Sequence, residues 1–309
     1  MSAEITRITT NSPEEWRKLR RKYIGGSDAA AVVGLNYYVS PYSLWMEKTG
    51  RAPGFEGNLA TEVGTFLEEF VAQKFASETG KRVRKCNQSL LNSQYPFAIA
   101  NIDREIVGED AGLEIKTTDS VNMKKFKNGD YPANYYCQCV HYMAITGKKK
   151  WYLAVLIGNR EFKIFEIERD EEEIRALMAA EEKFFEYVKN DTPPPTDGSK
   201  ATTDALTAHY PNDNGDAVDL KRYLADLAKY VGLSQQIKDL EAAKDEAGNK
   251  IKQYMGEAAL GRTADYKVSW KSSKRRTFDI KAFEKANPKI DTSAFYKETT
   301  TRTFKVTRM

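Results

Sequence analysis

The apolar residues between positions 58 and 190 switch repeatedly between helical and strand periodicity, and this order constrains the fold more than any other feature of the chain. Helical spacing predicts helices over residues 58–79, 133–146 and 170–190. Strand-like stretches lie between these helices and cover residues 82–91, 96–107, 112–118, 151–157 and 161–168. The order helix, three strands, helix, two strands, helix predicts an α+β core, with one mixed sheet and helices packed on it.

Composition argues against several classes of protein. No stretch approaches the ~18–20 apolar residues that span a bilayer, and the first 16 residues lack the basic and apolar regions of a secretory signal. The three cysteines cannot form a closed disulfide set, which favours a reducing, cytoplasmic location. The phosphate-binding loop GxxxxGK[ST] is absent, which argues against ATP-driven motor chemistry.

The run DTPPPTDGS at 191–199 is the best domain boundary in the chain. We therefore predict a domain over residues 1–190, a linker over 191–217 and a C-terminal region over 218–309. Leucines on both sides of Gly232 predict a helical hairpin within 218–256, and residues 261–309 are typical of a small, basic, β-rich segment.

Charge is distributed unevenly along the chain. Residues 261–309 contain 13 Lys and Arg against 5 Asp and Glu, a net charge of +8, whereas residues 1–260 contain 35 against 39, a net of −4. A basic segment beside an acidic body suggests an anionic partner such as DNA, and aromatic residues including Trp270 and Phe278 could stack on bases. The alternatives are a solvated strand surface for the basic residues and a small β-rich cap whose aromatic residues form an ordinary core.

Two acidic residues and a lysine on neighbouring predicted strands are the candidate catalytic residues. Asp103 lies in the predicted strand 96–107, and the next strand contains Glu114 and Lys116 on one face. If the strands pair, Asp103 lies beside Glu114. Two carboxylates can hold Mg²⁺ or Mn²⁺, and an ammonium can orient a water or stabilise charge on a phosphate. Metal-assisted phosphodiester hydrolysis needs these groups.

The Glu-x-Lys spacing alone is a weak signal. It also occurs at Glu161/Lys163 and at Glu181/Lys183. Only Glu114/Lys116 follows an apolar strand that carries an aspartate. The alternative for this trio is a surface ion pair on a half-exposed hairpin.

Longer motifs resemble those of one family, the YqaJ viral recombinases. They comprise LRRKYIGGSDAAA at 19–31, Gly64-x-x-x-Glu68-Glu69, Asn101-x-Asp103, Leu113-Glu114-Ile115-Lys116 and Gln138-x-x-His141-Tyr142-Met143. The resemblance covers roughly residues 12–190, and the C-terminal segment is similar more loosely. These proteins are phage-type alkaline exonucleases, similar to phage lambda exonuclease, on the PD-(D/E)xK restriction-endonuclease-like fold. The chain departs from the motif that names this fold, because Ile102 and not proline precedes Asp103.

The resemblance implies a role for each matching residue. Asp103, Glu114, Glu68 and the carbonyl of Ile115 match metal ligands, Lys116 matches the catalytic lysine, and Gln138 matches the glutamine on the helix after the catalytic strand. Arg20 and Ser27 match residues that hold the 5′-terminal phosphate.

Each position also has a structural interpretation. Glu68 could be a solvated helix residue, although Gly64 one turn earlier would leave room for a metal or for backbone. Gln138 could complete a buried polar network. Arg20 could be solvated, and Ser27 could only cap a helix. We expect His141 to be a hydrogen-bonded core histidine.

The resemblance implies a metal-dependent 5′→3′ exonuclease acting on linear double-stranded DNA. The protein would act in the cytoplasm of a bacterial host, supply single strands to a phage annealing protein, and form a homo-oligomer such as a trimeric ring. The alternatives are a structure-specific endonuclease of the same fold and a non-catalytic DNA-binding recombination scaffold.

Overall fold

The computed structural model of the protein describes residues 4–308. It divides into two compact units, of which the first ends at Tyr210 and the second begins at Pro211. The helices of the first unit are α1 (Pro13–Lys22), α2 (Gly26–Val32), α3 (Pro41–Lys48), α4 (Leu59–Thr79), α5 (Ala133–Thr146), α6 (Glu171–Lys189) and α7 (Lys200–His209). Its strands are β1 (Ile5–Ile8), β2 (Ile24–Gly25), β3 (Val83–Lys85), β4 (Ser89–Asn92), β5 (Ala98–Ala100), β6 (Arg104–Ile106), β7 (Ala111–Thr118), β8 (Lys150–Ile157) and β9 (Glu161–Glu168).

A five-stranded mixed sheet forms the centre of the first unit, in the order β3-β6-β7-β8-β9. Strands β7 and β8 are parallel, and the other pairs are antiparallel. On one side, Phe75 of α4 packs against Leu113 and Tyr152. On the other side, Met143 of α5 packs with Trp151. The predicted mixed sheet with helices on it is confirmed.

A second, four-stranded sheet has the order β1-β4-β5-β2, and it divides two of the predicted strands. The predicted strand 82–91 becomes β3 and β4, and the predicted strand 96–107 becomes β5 and β6, one in each sheet. Residues 101–103 form the passage of the chain from β5 in one sheet to β6 in the other, and polar groups stabilise it. Asn101 accepts a hydrogen bond from Ser89 Oγ at 2.6 Å and, through its carbonyl, from the Tyr142 hydroxyl at 2.8 Å.

Local signals set the helix ends. The side chain of Asn58 accepts the backbone N–H of Thr61 at the start of α4, and Gly80 ends that helix with a φ of 69°. Helix α5 follows Pro132 and ends at Gly147, whose φ is 73°. A positive φ favours glycine, so these ends lie where the sequence predicts them.

The predicted linker 191–217 contains a helix. Helix α7 begins after Ser199, whose Oγ accepts the backbone N–H of Thr202. Thr202 is buried and donates to Ser40 Oγ at 2.7 Å, which fastens α7 beside α3. The first unit therefore extends to Tyr210 rather than to the predicted residue 190.

The second unit corrects two predictions. Residues 224–255 form one continuous helix, α8 (Leu224–Met255), so the predicted hairpin is wrong. Gly232 lies inside this helix, since a glycine there costs only about 1 kcal/mol and good helix formers surround it. The basic segment contains one hairpin, β10 (Leu260–Arg262) with β11 (Lys267–Ser269), and a helix α9 (Ile280–Ala286). Within the described part, residues 301–308 form no strand.

Residues 1–3 and 309, at the outer ends of the predicted domains, lie outside the described residues. Among residues 4–308, no helix has both the length and the apolar character needed to cross a membrane.

A buried pair joins α5 to α6. His141 and Glu181 are both inaccessible to solvent. His141 Nδ1 lies 2.9 and 3.0 Å from the two carboxylate oxygens of Glu181, and Nε2 lies 3.0 Å from the carbonyl of Ile99. His141 is thus the hydrogen-bonded core histidine that the sequence predicts. Burial disfavours the imidazolium, but the Glu181 carboxylate outweighs it and raises the pKa of His141 above its usual value.

We expect the free energy of unfolding to fall as the pH rises above about 6.5, the pKa of unfolded histidine. As the pH rises, the folded state keeps the proton of His141 to a higher pH than the unfolded state does. The stabilisation that protonated His141 gives is therefore complete below about pH 6.5 and is lost as the pH passes the pKa of the folded state. The slope is at most about 1.4 kcal/mol per pH unit. Urea unfolding between pH 6 and 9 measures it. Glu181→Gln should flatten the slope, whereas the exposed control Glu182→Gln should not; equal slopes in all three proteins would contradict the assignment.

Candidate active site

One cleft of about 460 Å³ opens between α4, α5 and the central sheet, beside the start of α2. The structure brings all eight predicted site residues to this cleft, namely Arg20, Ser27, Glu68, Asp103, Glu114, Ile115, Lys116 and Gln138. They come from α1, α2, α4, β7, α5 and the passage between β5 and β6. Their roles stay predictions.

Asp103 and Glu114 form the acidic floor of the cleft. Asp103 follows the passage from one sheet to the other, and its Oδ2 accepts the backbone N–H of Ile115 at 2.8 Å. Glu114 lies on β7 and is 1% exposed. Glu114 Oε1 lies 2.6 Å from Lys116 Nζ, whereas Oε2 is buried and has no hydrogen-bond partner among the described residues.

The electrostatics of this floor favour an added cation. Burial, together with the neighbouring charge of Glu114, raises the pKa of Asp103 well above its usual value. Burial also raises the pKa of Glu114, although the Lys116 ammonium opposes it. Two neighbouring carboxylates share one lysine, so a further positive charge, from a proton or from a cation, is favoured beside them. A buried polar atom without a partner is also costly.

Lys116 stays charged in this setting. Burial disfavours its ammonium, but the carboxylates of Glu114 and Asp103 outweigh burial and raise the pKa of Lys116. Its Nζ also lies 5.5 Å from the ring centre of Tyr135, a contact that the sequence analysis missed. Lys116 can therefore donate hydrogen bonds and stabilise negative charge, but it cannot act as a base near neutral pH.

Gln138 lies on the buried face of α5 above the acids. Its Nε2 donates to the Tyr142 hydroxyl at 2.9 Å, and that hydroxyl donates to the carbonyl of Asn101 at 2.8 Å. The structure therefore contains the polar network that was the structural interpretation of Gln138, and the same residue lines the cleft. Tyr142 belongs to the motif that begins at Gln138, but no role of its own was predicted for it from the sequence.

Glu68 forms a salt bridge with an arginine. Its Oε1 lies 2.5 Å from Nη1 of Arg104, whose side chain is 3% exposed and also pairs with Glu69. Gly64 lines the cleft, and a Cβ there would lie 3.2 Å from Thr117 Oγ1, so β7 approaches α4 closely at this glycine. Arg104 was missed, since nothing in a single strand shows that its partner lies on a helix 36 residues earlier.

Arg20 and Ser27 face each other at the other end of the cleft. Arg20 Nη2 donates to Ser27 Oγ at 2.6 Å, and the guanidinium lies 5.4 Å from the Trp16 ring centre. Ser27 does not cap α2. The cap is Gly25, whose backbone N–H donates to Asp28 Oδ2 at 3.0 Å. The hydroxyl of Ser27 and the guanidinium of Arg20 can both bind an anion.

The residues present fit a divalent cation. No group of three or more His, Cys, Asp or Glu side chains gathers within residues 4–308. Mg²⁺, however, commonly takes one or two carboxylates and keeps several waters. Asp103, Glu114 and the carbonyl of Ile115 supply such oxygens, and the partnerless Oε2 of Glu114 is the atom that a cation would satisfy.

The mixed sheet between helices, with Glu114 and Lys116 on its middle strand β7 and Asp103 directly before β6, defines a protein of the PD-(D/E)xK restriction-endonuclease-like fold. The chain is similar to an alkaline exonuclease, LHK-Exo from Laribacter hongkongensis, with a TM-score of 0.50 and 20% identity, over 58% of this chain and 93% of that one. This likeness concerns the fold.

Sequence comparison places the chain within this class. Residues 15–149 match the model of the YqaJ-like viral recombinase domain. Over 285 residues the chain is 37% identical to the protein YqaJ of Bacillus subtilis (strain 168). This stretch covers 90% of the present chain and 89% of that protein. The chain belongs to the YqaJ-like viral recombinase family.

We expect Gly26→Ala to lower the free energy of unfolding by about 1–3 kcal/mol, the usual cost of overpacking. A Cβ at Gly26 would lie 2.5 Å from Cε1 of Tyr142 and 3.1 Å from Cγ of Gln138, so α2 and α5 would have to separate. Urea unfolding measures the change. Gly198→Ala is the control, because a Cβ there meets nothing within 4 Å; equal stability of the two variants would show that the helices do not approach so closely.

Proposed function

We propose that this protein is a metal-dependent deoxyribonuclease that degrades linear double-stranded DNA from its 5′ ends. The observation that carries the proposal is the single cleft that combines Asp103, Glu114 and Lys116 with the Arg20–Ser27 pair. Family membership supports a role with DNA, and the structural neighbour named as an alkaline exonuclease supports hydrolysis from an end.

Asp103, Glu114 and the Ile115 carbonyl would hold Mg²⁺ or Mn²⁺. A bound ion of this kind lowers the pKa of water and neutralises charge on the scissile phosphate. The Lys116 ammonium would orient the attacking water and stabilise the developing negative charge. The Gln138 amide would hold the water or a phosphate oxygen, and Glu68 would complete the acidic wall of the cleft.

The Arg20–Ser27 pair would bind the 5′-terminal phosphate. A guanidinium and a hydroxyl 2.6 Å apart offer two donors to one phosphate. Anchoring of the terminal phosphate at one end of the cleft and hydrolysis at the other end would account for 5′→3′ polarity.

Lys116→Ala should reduce metal-dependent release of 5′-terminal nucleotides by at least about 10²-fold, the usual loss when a transition-state donor is removed. The assay uses linear duplex DNA labelled at one 5′ end, with Mg²⁺ or with EDTA. Lys163→Ala is the matched control, because Glu161 and Lys163 repeat the same spacing on β9, 3.4 Å apart and outside the cleft.

A covalently closed circle separates the alternatives. A circle that stays intact while the linear duplex is digested supports an exonuclease. Cleavage of the circle would favour a structure-specific endonuclease, and binding without any cleavage would favour a DNA-binding scaffold and overturn the catalytic proposal.

Divalent metal should also stabilise the protein without DNA. A ligand at 100 times its Kd adds about 2.7 kcal/mol to the free energy of unfolding. Mg²⁺ or Mn²⁺ should therefore raise the thermal midpoint of the wild-type protein, and Glu114→Gln should abolish that rise. Each protein is compared with its own metal-free state, because Glu114→Gln also removes the partner of Lys116 and can lower stability by itself. An equal metal response in both proteins would contradict the assigned ligands.

We extend the proposal to recombination. The single strands produced would pass to a single-strand annealing protein in the cytoplasm of a bacterial host that carries a phage or prophage. We also propose a homo-oligomer, with a trimeric ring as the form that the resemblance to phage exonucleases favours. Light scattering of the purified chain tests this, and a monomeric mass would contradict it.

A further inference from the structure

A buried lysine adjoins the proposed phosphate-binding pair. Lys48, at the end of α3, has a side chain that is only 2% exposed. Its Nζ lies 2.6 Å from Oδ2 of Asp28 and donates to the carbonyls of Arg20 and Tyr23 at 2.9 and 2.8 Å. A fully buried lysine is rare unless it is paired, so this position is a built part of the structure.

Asp28 stands between two cations. One carboxylate oxygen pairs with Lys48, and the other lies 3.3 Å from Nη2 of Arg20. Burial acts to raise the pKa of Asp28, but the charges of Lys48 and Arg20 outweigh it and hold that pKa below its usual value. Asp28 is therefore ionised, and the three residues carry a net charge of +1.

The exposed end of this cluster is Arg20. Its side chain is 33% exposed, against 6% for Asp28, and it is the member of the cluster that lines the cleft together with Ser27. The other charged groups that interact with the cluster come in pairs of opposite sign, Glu47 with Arg21 and the buried Glu181 with His141. The one uncompensated positive charge of the cluster therefore faces the cleft.

We propose that Lys48 is a positioning residue that sets the charge of the 5′-phosphate site. By neutralising Asp28, Lys48 leaves the charge of the Arg20 guanidinium for the terminal phosphate. Without Lys48, Asp28 would neutralise Arg20 and draw the guanidinium toward itself. This inference rests on the proposed function, since it concerns the proposed phosphate-binding end of the cleft.

The experiment compares one duplex with a 5′-phosphate or a 5′-hydroxyl end. The readouts are the ratio of cleavage rates and, in a Lys116→Ala background that does not cleave, the ratio of affinities by fluorescence anisotropy. Lys48→Met should lower both ratios about tenfold, the order expected when a charged hydrogen bond is lost. Lys48→Arg, which keeps the charge, should retain most of the preference.

A double variant separates charge from structure. Asp28→Asn together with Lys48→Met removes both buried charges, so the positive charge of Arg20 is again uncompensated. We expect both ratios to return to within about twofold of the wild type. A purely structural role for Lys48 predicts the opposite, because the double variant loses more native contacts than the single one. Lys22→Met, which removes an exposed lysine of α1, should leave both ratios unchanged.

The outcomes are distinct. A wild-type preference for the 5′-phosphate that Lys48→Met retains overturns the inference alone, as does a double variant that stays at the level of the single one. A wild-type protein that treats both ends equally overturns the proposed phosphate site and this inference with it. If Lys48→Met folds poorly by circular dichroism, Lys48→Gln, which keeps a polar end group, carries the same expectation.

Discussion

The hydrogen bond from the backbone N–H of Ile115 to Asp103 is the interaction on which the cleft depends. It lies where the chain leaves the four-stranded sheet and enters the central one, so it fixes the position of Asp103 relative to β7. Glu114 and Lys116 alternate with Ile115 along that strand and therefore share a face, and Asp103 lines the same cleft. A sheet register and one hydrogen bond thus bring three charged side chains together where the apolar core borders the cleft.

A charged side chain is stable in or beside an apolar core only when a group of opposite charge pairs with it. The first unit contains several such pairs. Lys116 pairs with Glu114, Arg104 with Glu68, Lys48 with Asp28 and His141 with Glu181. Breaking a buried pair by removing one partner is strongly destabilising, whereas an intact pair contributes little net stability. The pairs therefore act mainly to specify which side chains meet. Glu114 Oε2 is the exception, since it has no partner among the described residues.

The local pattern of apolar residues predicted most helices and strands of the first unit. It could not predict which residues far apart in the sequence pair with each other. Helices α4 and α5 lie within one residue of where periodicity places them, and they end at Gly80 and Gly147 as the sequence predicts. The division of 96–107 into two strands was missed because nothing in that stretch shows that Ala98 pairs with the distant Ile24, which places β5 in the second sheet. Strand alternation predicted that Glu114 and Lys116 share a face. It could not reveal Arg104 against Glu68, or Lys48 against Asp28, because those contacts depend on how helices pack. The hairpin predicted at Gly232 was wrong because a glycine between good helix formers can stay inside a helix at a cost of only about 1 kcal/mol.

The passage at 101–103 has a consequence for how the molecule assembles. Strands β6 and β7 are neighbours in sequence and can pair early, whereas the sheet that holds β5 also needs β1 and β2 from the start of the chain. Early pairing of β6 with β7 can therefore bring Asp103 beside Glu114, whereas Arg20 and Ser27 reach the cleft only when β2 has paired with β5. Under the proposed function, a chain folded only that far would lack the site for the terminal phosphate. Digestion from a DNA end would begin only when both sheets are complete.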